Sequence, residues 1–95
     1  MNPVRVHSGM FYVYILRSQK TDRMYVGSTG DLRKRLIQHN QGKSYWTKRY
    51  TPWKVIYYEA GLNEQDARAR EKYLKSGPGK RFIKNRIKRF LTLTG

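Results

Sequence analysis

The sequence predicts an α+β fold: one small three-stranded antiparallel sheet flanked by helices, in the order β-β-α-β-α-α. Three observations predict it. Residues 11–17 (FYVYILR) form an uninterrupted run of β-branched and aromatic side chains, the pattern of a central strand buried on both faces. Two other short strand-like runs, at 24–28 and 53–60, are each followed by capping residues and helical periodicity. No repeat, low-complexity tract or linker divides the chain. A run of strands interleaved with helices in so short a sequence packs around one core.

Residues 1–9 contain Pro3 and Gly9 and show no periodicity, so they read as a flexible leader, with a single folded unit over 10–91. Residues 18–23 are polar and carry Asp22, which predicts a hairpin loop between the first two strands. In extended geometry Tyr12, Tyr14 and Leu16 share one face of the first strand, and Tyr25 and Gly27 share one face of the second. Ser28, Thr29 and Asp31 are all N-cap candidates for the next helix. Its apolar stripe would be Leu32, Leu36 and Ile37, with Gly42 at its end. Residues 43–52 (KSYWTKRYTP) form a basic, aromatic loop before the third strand. Asn63 would cap a second helix running to about Ser76. Gly77-Pro78-Gly79 would break it, and a basic third helix would span about 80–91.

Charge narrows the function class. The chain has 21 Lys and Arg against 6 Asp and Glu, a formal net charge of +15. Such a surplus attracts polyanions: nucleic acid, an anionic membrane surface or an acidic protein. The longest apolar run, residues 10–16, is far too short to span a bilayer, and no stretch resembles a secretory signal. The absence of cysteine excludes disulfides and thiolate metal sites. A cytoplasmic protein with a nucleic-acid partner and no membrane role is the expected class.

Several residues could carry chemistry. Arg35 and His39 are four apart, so they share a helical face. Arg35 also reads as one surface charge of the Arg33-Lys34-Arg35 run, and His39 as a helix-terminus cap. Glu71 lies on the stripe of Ala67 and Leu74, where a carboxylate is costly unless paired or bound to a metal. Its partner is either a neighbouring base (Arg68, Arg70, Lys72, Lys75 or Arg35) or a hard divalent cation. Gly27 weakens a strand unless something must approach closely, and a helix N-terminus follows it.

Taken in order, Tyr12-Val13-Tyr14, the stretch YVGSTGDLRKRLIQHNQG (residues 25–42) and AREKYLKSGPGKR (residues 69–81) resemble the GIY-YIG nuclease superfamily. The likeness is to its small single-domain members and to the N-terminal nuclease domain of the excision-repair nuclease. It covers roughly residues 10–88. Tyr12 stands where the family has Gly, and the family's active-site Asn has no ordered match, Asn85 being only a loose one. The resemblance implies a metal-dependent endonuclease that hydrolyses phosphodiester bonds in DNA, in repair or processing of structured DNA, with one Mg²⁺ or Mn²⁺ ion on Glu71. It assigns Tyr14 to orienting or deprotonating the attacking water and Arg35 to neutralising the developing charge, with Tyr25 and His39 hydrogen-bonding nearby. A phenol is a poor base at neutral pH, so a nearby cation would have to lower its pKa. A non-catalytic basic nucleic-acid-binding module that keeps the fold is the alternative. For substrate contact the expected residues are Lys43, Lys48 and Arg49 in the loop and Lys80, Arg81 and Lys84 on the last helix. Tyr45, Trp46 and Tyr50 would stack on unpaired bases, although Trp46 and Trp53 also suit core packing.

Overall fold

A computed structural model describes residues 9–94, so the leader expected at 1–9 lies, Gly9 apart, outside the described residues. The elements are β1 (Phe11–Ser18), β2 (Met24–Thr29), α1 (Leu32–Asn40), a 3-10 turn (Thr47–Tyr50), β3 (Trp53–Gly61), α2 (Glu64–Lys75), α3 (Gly77–Arg86) and α4 (Lys88–Thr94). The sheet is antiparallel in the order β2-β1-β3. β1 is central, as its continuous apolar run predicts.

Alternation along β1 builds two half-cores. Val13 and Ile15 pack with Ala67, Leu74 and Ile83 beneath α2 and α3. Tyr14 and Leu16 pack with Trp53 and, at the edge, Leu32 and Leu36 of α1. Helices therefore cover both faces of a three-stranded sheet. A bulge opposite Ile15 and Leu16 adds one residue to β3, which increases local twist. Buried Ser18 ties the β1–β2 turn together: its hydroxyl donates to the Tyr50 carbonyl at 2.7 Å and accepts from the Lys20 and Thr21 amides. None of the helices among the described residues is long and apolar enough to cross a membrane.

Local capping works as the sequence predicts. Asp31 accepts from the Lys34 amide at 3.0 Å, and Asn63 from the Asp66 amide at 2.9 Å. Gly42, at φ +77°, follows α1 in the left-handed conformation. Two expectations are corrected. Gly77-Pro78-Gly79 is the first turn of α3 rather than a break before it, with Ser76 as N-cap. Proline fits there because first-turn amides lack helical partners anyway. The basic tail is two helices that part at Ile87 instead of one. The α1 stripe is also corrected: Ile37 is 49% exposed, and His39 takes the inward position with no exposure. At about 100° per residue, His39 falls in line with Leu32 and Leu36, whereas Ile37 turns away.

Candidate active site

The β1–β2 register places Tyr14 opposite Gly27 and Leu16 opposite Tyr25. Tyr14 and Tyr25 thus stand diagonally on one face, their ring centroids 6.3 Å apart. Gly27 is the space between them. A Cβ there would stand 2.5 Å from the Tyr14 hydroxyl, 2.7 Å from its Cζ and 3.0 Å from Tyr25 Cε2. The close approach that a strand glycine signals is therefore the Tyr14 phenol crossing the β2 backbone.

Helix α1 delivers His39 onto this pair. His39 Nε2 lies 2.9 Å from the Tyr14 hydroxyl, and Nδ1 lies 2.8 Å from Thr47 Oγ1. Tyr25 meets the His39 ring edge-on at 4.9 Å. Burial, reinforced by the Arg35 charge, pulls the His39 pKa down to about 4, so its imidazole is neutral at pH 7. Burial pushes the Tyr14 phenol up to about 12; the Arg35 guanidinium pulls the other way and is outweighed. Both groups are neutral, and Thr47, itself fully buried, donates to or accepts from Nδ1 as the tautomer requires. His39 is thus a buried, doubly bonded group rather than a helix-terminus cap. Among the described residues, Arg35 is the cation set against the phenol, and its pull does not offset burial.

Arg35 is half-buried beside Tyr14, its Nη1 held by Gln38 Oε1 at 3.1 Å, while Arg33 and Lys34 are exposed. It is the one member of its basic run aimed at the site. Glu71 arrives from α2, on the other side of β2. Its Oε1 accepts from Ser28 Oγ at 2.6 Å and its Oε2 from Lys75 Nζ at 2.7 Å. Burial raises its pKa, but Lys75 and Ser28 together bring it below the ordinary carboxylate range. The ion-pair reading of Glu71 therefore holds in this state, with Lys75 as partner. Its charge still reaches Tyr14, nudging that pKa up. Tyr14, Tyr25, Arg35 and His39 come together as one cluster; Glu71 borders it across the edge of β2.

The Glu71 carboxylate and the Ser28 hydroxyl are hard oxygen donors of the kind a divalent cation takes. They border an open hollow of about 460 Å³ that Arg68, Lys72 and Lys75 also line, so a cation there would compete with three basic side chains. Among the described residues no three acidic or histidine side chains gather into a metal cage. Such an ion would complete its shell with water and substrate oxygens, the usual habit of Mg²⁺.

The basic residues expected to meet substrate, Lys43, Lys48, Arg49, Lys80, Arg81 and Lys84, are all exposed. Lys48 and Arg49 sit over the Tyr45 ring at 5.1 and 5.4 Å. The two tryptophans divide. Trp53 is core, 3% exposed, its Nε1 donating to the Thr47 carbonyl at 2.8 Å. Trp46 is 42% exposed and stacks on Tyr25 at 5.9 Å. Sequence reasoning missed Thr47, Ser28 and Gln38 as supports. Ser28 reads as a helix cap from its position, and nothing in the loop sequence marks Thr47.

Residues 10–89 match the family described as the GIY-YIG catalytic domain. A UPF0213 protein of Clostridium perfringens is 40% identical over 67 residues, covering 70% of this chain and 71% of that protein. A UPF0213 protein of Streptococcus pneumoniae is 35% identical over 65 residues, 67% of this chain and 65% of that one. The structure-specific endonuclease subunit slx1 of Schizosaccharomyces japonicus is 46% identical over 59 residues, which are 56% of this chain and 22% of that subunit. No solved structure matches.

Proposed function

The chain belongs to the GIY-YIG nuclease superfamily and carries its catalytic domain, and on that premise we propose that it is a metal-dependent endonuclease hydrolysing phosphodiester bonds in DNA. One observation carries the reading: the buried Tyr14–His39 hydrogen bond beneath Gly27, with Arg35 beside it. A surface that only bound nucleic acid would gain nothing from burying two titratable groups there.

The scissile phosphate would lie over the Tyr14, Tyr25 and Arg35 side chains, bordered by Glu71. At a pKa of about 12, the Tyr14 phenolate is about a hundred-thousandth of the population at pH 7. In the metal-free protein Tyr14 is therefore a neutral phenol, which suits it to orienting the attacking water by hydrogen bonding. Neutral His39, fixed by Thr47, holds that phenol in place. Arg35 faces the charge that develops on the phosphate oxygens and stabilises it there. Glu71 and Ser28 would hold Mg²⁺ or Mn²⁺, which when bound supplies positive charge to the phosphate and leaving oxygens. Lys75 yields the carboxylate and is then free for a phosphate.

The slx1 subunit is named for structure-specific cleavage, which supports a structured nucleic acid as the substrate; a role in repair or processing of DNA is part of the proposal. The proposal includes a cytoplasmic site of action. The second reading, a non-catalytic binding module, draws on the Glu71–Lys75 pair that closes the carboxylate. Nicking of supercoiled plasmid separates them. Cleavage that requires Mg²⁺ or Mn²⁺ and stops in EDTA is expected. Salt-sensitive binding with no nicking in either metal would establish the binding module.

A further inference from the structure

A second hollow adjoins the site and shares Tyr25 and Lys75 with it. It has a volume of about 470 Å³ and opens along β2 towards α3. Its floor is apolar, from Val26, Leu74 and Ile83. One wall is Tyr25 and Trp46, stacked 28° from parallel. Its rim carries Lys75, Lys80 and Lys84. Trp46 is 42% exposed here while its neighbour Trp53 is buried, so the indole is held at an open wall by Tyr25 and Tyr50.

We propose that this groove takes an unpaired nucleotide of the DNA substrate, flanking the scissile phosphate, and thereby selects substrates that offer one. The proposal rests on the nuclease reading for its location. Two shared residues connect groove and site. Tyr25 forms a groove wall on one side and meets His39 on the other. Lys75 stands on the rim and pairs with Glu71. The chemistry of the walls identifies the occupant. A flat apolar ring between anionic linkers matches an aromatic wall beneath three ammonium groups. The volume lies in the range of small-ligand sites. A base in a duplex cannot reach such a floor, because its faces are covered by its neighbours. A bulged, flapped or single-stranded base can, at little cost in unstacking. Tyr45, by contrast, is 71% exposed under its own Lys48 and Arg49 and lies outside the groove's lining, so it adds backbone attraction without selecting base state.

The test uses the full chain without metal, so that binding is read apart from cleavage. The probes are a paired duplex and the same duplex with one bulged 2-aminopurine. Wild type should bind the bulged DNA about 5- to 150-fold more tightly, the range of one stacked base, and quench its fluorescence. Trp46→Ala should lose both the quenching and most of the preference, and Trp46→Phe should keep the preference. Lys84→Ala, at an exposed helical position, keeps the test sound if Trp46→Ala misfolds. It should lower the salt slope for bulged DNA by about 0.9, with no such change for duplex. Equal affinity for the two DNAs, or a preference that survives both alanine variants, would overturn the inference. So would an apolar, acidic peptide that displaces bulged DNA but not duplex, since the groove would then be a protein-docking site. A protein that nicks plasmid yet shows no preference loses this inference alone. One that prefers bulged DNA yet never nicks loses only the nuclease reading.

Discussion

The two faces of the sheet hold their polar groups in opposite ways. On the α1 face, Tyr14 and His39 are buried, neutral and hydrogen-bonded to each other, and His39 is also bonded to Thr47. On the α2 face, Glu71 is charged, half-buried and open to an exchangeable partner in Lys75. The difference teaches where each kind of function can sit. Groups that only position are stable when sealed, because each polar atom already has a partner. A group that must bind a cation has to stay reachable, and here it is held meanwhile by a flexible ammonium.

Replacing Arg35 should give a large effect on rate, since it lies between the two regimes. Arg35→Ala should slow nicking by about 100- to 1000-fold, the usual loss for a charge aimed at a transition state, while DNA affinity changes little. Single-turnover nicking beside a binding titration checks it. Loss of affinity with normal single-turnover cleavage would make Arg35 an ordinary phosphate contact, and the α1 face would no longer be the reacting face.

The sealed face should show itself in the pH dependence of stability. The folded pKa of His39 lies below its unfolded value, so the unfolded chain binds the extra proton. Its contribution to stability is therefore complete above about pH 6.5 and is lost as pH falls towards 4. The loss should approach about 3 kcal/mol. Denaturant melts at intervals from pH 7 to pH 4 should show this slope in wild type and a flatter one in His39→Gln. Equal slopes would place the imidazole in contact with water and break the contrast between the faces.

Gly27 sharpens the same point by sterics alone. Gly27→Ala puts a methyl group 2.5 Å from the Tyr14 hydroxyl, and overpacking of that kind costs about 1–3 kcal/mol. Melting temperature and nicking should both fall, because the phenol must move to make room. A variant as stable as wild type would mean that Tyr14 is loose.

The smallest stability effect is expected on the open face. Glu71→Gln keeps an acceptor for Ser28 and frees an exposed lysine, so stability should change by less than about 1 kcal/mol. Metal-dependent nicking should nonetheless disappear. Melting curves with and without Mg²⁺ would show a metal-induced rise in wild type only. A variant that melts much lower yet still cuts would make Glu71 a structural ion pair.

Elements and caps were legible in the sequence because their causes are local. The strand run at 11–17, the caps at Asp31 and Asn63 and the glycine at 27 each act within a few residues, and each stands where those signals put it. The ordered motifs also carried the family. What was not legible depended on partners far apart in the chain. Helical spacing puts His39 in line with Leu32 and Leu36, but its full burial as a bonded neutral ring depends on Tyr14, 25 residues away, and on Thr47. Ser28 serves Glu71 from 43 residues away, so its position before a helix pointed to the wrong role. Trp46 in the loop and Trp53 at the head of the third strand both suit core packing by sequence, and they separate into a groove wall and a core residue only when the Thr47–Tyr50 turn folds over the sheet. Propensity and capping are properties of a short window of chain. Burial, pKa and side-chain pairing are set by whichever surfaces the packed layers bring together.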